Sequence, residues 1–182
     1  GSADGCLTAD DTRRLVSDGF DVGCHTYSHY RLSDGSADGL QSDAARNRAA
    51  FETSLHIPPA RDFSFPFGEV SVDAKRRLAR SYATLRTSYA GVNAGTCDAT
   101  MLRANPIYSE SLRMERVRQL CEETVAAHGW LIFYTHGVED HPDRWGCTAS
   151  ELEQVIRTCL DCDLDVRTVR SVSEELLPDF LA

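Results

Sequence analysis

Two histidines separated by three residues, His25 and His29, are the side chains whose type and spacing most directly indicate chemistry. Two imidazoles four positions apart lie on one face of a helical turn, close enough to bind one metal ion. Because Thr26 follows His25, the His-Glu-x-x-His signature of metalloproteases is excluded. The alternative is a pair of surface or helix-capping histidines. We favour a metal site because the pair directly follows a predicted strand, and parallel α/β folds bind ligands at the carboxyl ends of strands.

A third histidine, His136, comes just after the apolar run 130–134, which predicts a strand buried on both faces. One histidine at a strand end is as often structural as functional. Two histidine sites that both follow strand ends make a functional interpretation stronger. An imidazole beside a metal is also suited to proton transfer. The loop that follows contains Trp145, and a loop after a strand is a natural place for ligand contact.

Helical and strand patterns alternate along the chain with short connections, which predicts an α/β fold with parallel strands. Thr8 and Thr148 each precede an acidic first turn and are expected to cap helices. The region 92–111 is poorly patterned and is predicted to be mostly loop. The predicted helices span residues 8–18, 38–55, 72–79, 113–128, 148–162 and 173–177. The predicted strands are 20–24, 62–65, 83–87, 130–134 and 165–169.

Three segments, in this order, resemble motifs of the polysaccharide deacetylases, carbohydrate esterase family 4. They are DGFDVGCHTYSHYRL around the histidine pair, FSFPFGEVS, and FYTHGVEDHPDRWGCT around the third histidine. The similarity runs from about Leu7 to Leu177. It implies a distorted (β/α) barrel with its site at the carboxyl ends of the strands. It also implies that residues 1–182 form a single catalytic domain.

The resemblance assigns roles to these residues. It implies that His25 and His29 hold a divalent ion, usually zinc, together with an aspartate, while a second aspartate acts as general base. His136 is expected to protonate the departing amine, and the backbone N–H of Phe67 to bind the oxyanion. Pro66, Phe67 and Gly68 are expected to form a substrate-binding turn, and the ring of Trp145 either stacks on a sugar or packs beneath its own loop.

The family's first motif, a Thr-Phe-Asp-Asp that supplies the base and the third metal ligand, is not recognisable. Only 24 residues precede His25, and the stretch from Thr8 to Asp11 is typical of a helix start instead. We therefore expect the first strand or strands to be missing, either from the sequence given or from the natural protein, and the metal site to be weak. The candidate substitute carboxylates are Asp21, Asp34 and Asp140.

Two further departures indicate a divergent branch that acts on small or unusual substrates. Ser64 stands where many members of the family carry an arginine that orients the catalytic aspartate, and serine cannot do this by charge. The family's fourth motif is not recognisable within 92–111.

Composition excludes some classes of function. The net charge of −9 disfavours nucleic acid and anionic membranes, and no apolar run is long enough to span a bilayer. The seven cysteines cannot all pair within one chain, which favours a cytoplasmic location, with secretion as the alternative if an N-terminal segment is missing. Cys159 and Cys162 have the spacing of a redox or zinc pair, but two small residues on a partly buried helix are the favoured interpretation.

The leading hypothesis is a zinc-dependent hydrolase that removes acetyl groups from N- or O-acetylated sugars. A catalytically impaired relative that binds a carbohydrate or a metal is the second, because the aspartate motif is lacking. A hydrolase of small amide or formyl C–N bonds is the third, since the same metal chemistry serves any such carbonyl.

Overall fold

The computed structural model describes residues 7–178. They divide into two compact units, the first made of residues 7–86 with 168–178 and the second of residues 87–167. Each unit has a buried hydrophobic cluster of its own. That residues 1–182 act as a single catalytic domain stays a prediction.

Helices are the main regular elements of both units. Within residues 7–178 the α-helices are α1 (Ala9–Ser17), α2 (Ala37–Ala50), α3 (Val72–Leu78), α4 (Met114–Ala127), α5 (Ala149–Asp161) and α6 (Val169–Leu176). A π-helical turn, Phe51–Leu55, continues α2, and 3-10 turns lie at Leu32–Asp34, Pro66–Gly68 and Ala99–Met101. None of the helices in this part of the chain has the length and apolar character that a bilayer crossing requires.

The strands are short and pair in parallel, which confirms the α/β class. They are β1 (Asp62–Ser64), β2 (Thr84–Arg86), β3 (Asn105–Pro106) and β4 (Phe133–Tyr134). In the first unit β1 pairs with β2, and in the second β3 pairs with β4. A single parallel bridge joins Cys24 to Phe63 beside β1. The described strands are therefore not hydrogen-bonded into one closed barrel.

The predicted helix starts are confirmed by their capping interactions. The Thr8 side chain accepts a hydrogen bond from the Asp11 N–H, and the Asp11 carboxylate accepts one from the Thr8 N–H. Thr148 and Glu151 make the same reciprocal pair at the start of α5. These bonds satisfy amide groups that the first helical turn leaves without partners, so the sequence signature and the structure agree.

Three predicted strands are wrong or too long. Of residues 20–24 only Cys24 pairs, and Phe20 is 62% exposed, so little of this run is buried. In the run 130–134 only the two residues of β4 form a strand, because β3 pairs with just these two. Ile132 is the one residue of this run that is buried. Residues 165–169 form no strand: Thr168 caps α6, which begins four residues before the predicted final helix.

The core of the first unit gives a direct test of the fold. Leu85 is 0% exposed in the middle of β2 and belongs to the first unit's hydrophobic cluster. We expect Leu85→Ala to lower the free energy of unfolding by about 2–5 kcal/mol, since it removes buried methyl groups and leaves a cavity. Urea denaturation measures this. The matched control is Leu160→Ala on α5, where the side chain is 55% exposed and the loss should stay below about 0.5 kcal/mol. Equal losses at the two positions would contradict the assignment of Leu85 to the core.

Candidate functional site

The two histidines of the predicted metal site lie on a loop, not on a helical turn as expected. Thr26 and His29 have left-handed backbone conformations, with φ of 64° and 56°, so the segment cannot be helical. The loop still brings the imidazoles of His25 and His29 together, with ring centroids 4.9 Å apart in an edge-on arrangement. Left-handed non-glycine residues are strained, and they concentrate at functional sites.

Ser64 fixes the orientation of the His25 ring. The His25 Nδ1 lies 2.7 Å from the Ser64 carbonyl oxygen and 2.8 Å from its hydroxyl. Because a carbonyl can only accept, this geometry places the proton on Nδ1, so that Nε2 is the ring nitrogen that carries the lone pair. A backbone carbonyl on the second nitrogen is the usual support of a metal-binding histidine. Ser64, which the sequence marked only as a departure from the expected motif, thus has a structural role at His25.

Asp43 on α2 holds the histidine loop from the other side. Its Oδ2 accepts the backbone N–H groups of Tyr27 at 2.9 Å and Ser28 at 2.8 Å. Burial raises the pKa of Asp43, but hydrogen bonds from Ser28, Thr26 and Tyr27 outweigh burial, so the pKa lies below its ordinary value. No motif marks this residue in the sequence, because the contact joins residues at least fifteen positions apart.

The Phe67 ring forms one wall beside the histidines. Its centroid is 4.5 Å from that of His29, and the Arg31 guanidinium lies 3.5 Å from it in a cation–π contact. The Arg31 guanidinium is itself held by Glu69 at 2.9 Å. Glu69 also accepts the Ser33 N–H at 2.8 Å. This set of contacts fixes an aromatic side chain that is 47% exposed.

The turn that carries Phe67 leaves one amide group available. The N–H groups of Gly68 and Glu69 donate to the carbonyls of Phe65 and Pro66 at 3.0 and 3.2 Å. The N–H of Phe67 has no acceptor within the described part of the chain. Phe67 adopts φ of 59° and ψ of 5°, a left-handed conformation that bulky residues rarely take. An amide donor in a strained turn whose Phe67 ring packs against His29 is suited to binding an anionic oxygen.

In the second unit, His136 lies in an aromatic cluster. Its Nδ1 is 3.2 Å from the Tyr108 hydroxyl, and its backbone N–H donates to the Trp145 carbonyl at 3.1 Å. The Trp145 ring is 44% exposed, and its centroid lies 5.5 Å from that of Tyr108 and 6.2 Å from that of His136. Trp145 therefore packs partly against its neighbours and still presents a surface to solvent. A shallow cavity of about 80 Å³ here is lined by His136, Gly137, Glu139, Pro142, Asp143 and Gly146.

The main segment of the first unit is similar in sequence to a known protein family. Residues 5–85 match the family described as Polysaccharide deacetylase. This part of the chain is similar in sequence to the polysaccharide deacetylases. The deacetylase segment, residues 5–85, contains His25, His29, Ser64 and Phe67. A comparison with curated proteins finds no match.

Solved structures of deacetylases share the fold. The Streptococcus pyogenes deacetylase PplD in complex with acetate is 20% identical with a TM-score of 0.56, over 66% of this chain and 52% of that chain. The Xyl-CE4 domain of a multidomain xylanase from the hindgut metagenome of Trinervitermes trinervoides is 17% identical, with a TM-score of 0.57, over 93% and 71%. The family 4 carbohydrate esterase from Streptomyces lividans in complex with acetate is 14% identical, with a TM-score of 0.53, over 88% and 71%. This chain spans about half the length of PplD.

The deacetylase segment provides some, but not all, of the side chains that usually hold a divalent ion. Two imidazoles lie close together in an edge-on arrangement, and the Nδ1 contact of His25 fixes the orientation of its ring. Across the described residues, however, no group of three or more His, Cys, Asp or Glu side chains is arranged to hold a metal ion. Of the candidate carboxylates, Asp34 pairs with Arg31 at 3.7 Å and Asp21 with Arg170 at 3.9 Å, while Asp140 is exposed.

Proposed function

We propose that this chain is a hydrolase that removes acetyl groups from N- or O-acetylated sugars. The observation that carries the proposal is the His25 and His29 pair beside the unused Phe67 amide, inside the segment that matches the family. The solved S. pyogenes and S. lividans relatives were each obtained with acetate, the product that such a reaction releases.

We propose Zn²⁺ as the cofactor, because neutral imidazole nitrogens suit this borderline-soft cation. His25 and His29 would supply two protein ligands of the three that catalytic zinc sites usually have, and among the described residues no third His, Cys, Asp or Glu is grouped with them. When bound, zinc polarises a carbonyl and lowers the pKa of water. The Ser64 carbonyl would keep the His25 ring in the tautomer that binding requires.

The remaining roles follow from the contacts of the side chains. The Phe67 N–H would donate a hydrogen bond to the oxyanion, and the Arg31 contact with the Phe67 ring would keep that turn rigid. His136 would return a proton to the departing amine or alcohol, since imidazole is the most common group in this role. Tyr108 at Nδ1 would orient the His136 ring, and Trp145 would offer its exposed face to a sugar.

The test is a substrate panel with the 182-residue chain and added Zn²⁺. It contains N-acetylglucosamine oligomers, O-acetylated xylan oligomers and a small N-formyl amide, and released acetate or formate is measured. We expect acetate release that a chelator abolishes, and a decrease of roughly 10²–10⁴-fold in His136→Ala. The exposed His141 lies in the same loop, so His141→Ala should keep full activity. Full activity of the His136→Ala variant would remove the assignment of the acid.

A non-catalytic relative that binds carbohydrate or metal is the second candidate. It is favoured by the absence, among the described residues, of a cluster of three metal-binding side chains. Binding of the oligomers without release of acetate would support it, and release of formate alone would support the small-amide hydrolase.

A further inference from the structure

Three cysteines of the second unit lie together where α4 packs against α5. The Sγ of Cys121 on α4 is 3.8 Å from that of Cys159 on α5. The thiol of Cys162, the residue that ends α5, also interacts with the Cys121 thiol. All three are free cysteines. Sulfur atoms in van der Waals contact require only a small side-chain shift to reach the S–S bond length of about 2 Å.

The three thiols differ in access and in charge environment. Cys121 is fully buried and Cys159 is 8% exposed, whereas Cys162 is partly exposed. Burial, with the neighbouring thiols, raises the pKa of Cys121 to about 12, and burial also raises the pKa of Cys159. The Arg118 Nη1 lies 3.9 Å from the Cys162 sulfur, so a positive charge lies beside this thiol. Cys162 is therefore the thiol that an oxidant reaches first.

We propose that Cys162 and Cys121 form an oxidation site, which a hydroperoxide such as hydrogen peroxide converts into a disulfide linking α5 to α4. The Cys162 thiolate attacks one peroxide oxygen, the O–O bond breaks, and the sulfur becomes a sulfenic acid. The departing hydroxide takes up the proton that the Cys162 thiol had released, which gives the first water.

The second step closes the disulfide. The Cys121 sulfur attacks the sulfenic sulfur, the S–S bond forms, and the S–O bond breaks. The hydroxyl group leaves with the Cys121 proton as the second water. Two thiols are thereby oxidised by two electrons, and one hydrogen peroxide is reduced to two waters. Because the pKa of Cys121 is raised by burial, this step is expected to be slower than the first.

The test uses the reduced full chain and hydrogen peroxide, followed by alkylation of the remaining thiols, digestion and mass spectrometry. We expect the number of free thiols to fall from seven to five and a linked peptide pair that contains Cys121 and Cys162. A reducing agent should restore all seven thiols. Arg118→Met should slow the reaction roughly threefold, the effect of losing a partly solvated charge contact.

Two substitutions make the outcome decisive. Cys162→Ser changes a partly exposed residue, so its fold can be verified by thermal unfolding, and it should abolish the linked pair. Cys97→Ser removes an exposed thiol elsewhere in the second unit and should leave linkage unchanged. The proposal is overturned if Cys121 becomes linked equally fast in Cys162→Ser, if Cys162 is oxidised without linkage, or if only Cys97 reacts.

Discussion

Replacing His25 or His29 with alanine is expected to abolish specific zinc binding and to lower acetate release by roughly a thousandfold. Metal stabilisation of the developing charge is worth several kcal/mol, and each 1.4 kcal/mol corresponds to about one order of magnitude in rate. Removing one of two facing imidazoles leaves a single histidine, which cannot retain the ion. Isothermal titration with Zn²⁺ and the acetate assay measure the two effects separately.

The exposed His141 provides the control for these variants, because His141→Ala also removes one imidazole but should change neither quantity. Circular dichroism verifies that the variants are folded. Unchanged zinc affinity in His29→Ala would show that the pair is not the metal site. Lost zinc binding with unchanged acetate release would separate the proposed metal from the proposed reaction.

Asp43→Asn is expected to lower the free energy of unfolding by roughly 1–2 kcal/mol near neutral pH, because it weakens hydrogen bonds to a charged acceptor. The Tyr27 and Ser28 amides that Asp43 binds lie between the two histidines, so zinc affinity should fall as well. Substituting a residue that orients metal ligands without touching the metal typically lowers metal affinity by about 10- to 100-fold. Urea denaturation and zinc titration measure the two changes.

The Asp43 effect should depend on pH in a defined direction. The folded-state pKa of Asp43 lies below its ordinary value of 3.8, so the carboxylate stabilises the fold fully above that ordinary value. This stabilisation is lost as the pH falls through the folded-state pKa, and the difference between wild type and Asp43→Asn should then shrink. Asp38→Asn is the control on the same helix, since its ion pair with Arg77 is exposed and should contribute less than about 1 kcal/mol. An Asp43 effect no larger than that of Asp38 would contradict the role of Asp43.

Local sequence signals predicted the parts of the fold that local interactions determine. Both capping boxes lie within four consecutive residues, so each signature was sufficient to locate a helix start. Strand lengths were predicted poorly because pairing depends on a distant partner. The two-residue strand β3 contains Pro106 and has no alternating pattern, so the region 92–111 gave no sign of it.

The same distinction applies to the candidate site. The histidine pair was found because its spacing is a local pattern, but its loop conformation was not, because the contacts that hold it come from Ser64 and Asp43. Tyr108 was also missed, since its contact with His136 spans 28 positions. Residues that orient a site carry no signature of their own when the contact is made across the fold.

The first unit draws on both ends of the described chain, which affects how the protein folds during synthesis. The Arg61 guanidinium, which lies next to β1, donates to the carbonyl oxygens of Ser173 and Leu177 at 3.3 and 2.6 Å. A ribosome makes these acceptors only after the whole of the second unit has been translated. All residues of the second unit are therefore synthesised before the first unit is complete. We expect the nascent chain to complete its histidine-bearing unit last, against the usual order from the N-terminus.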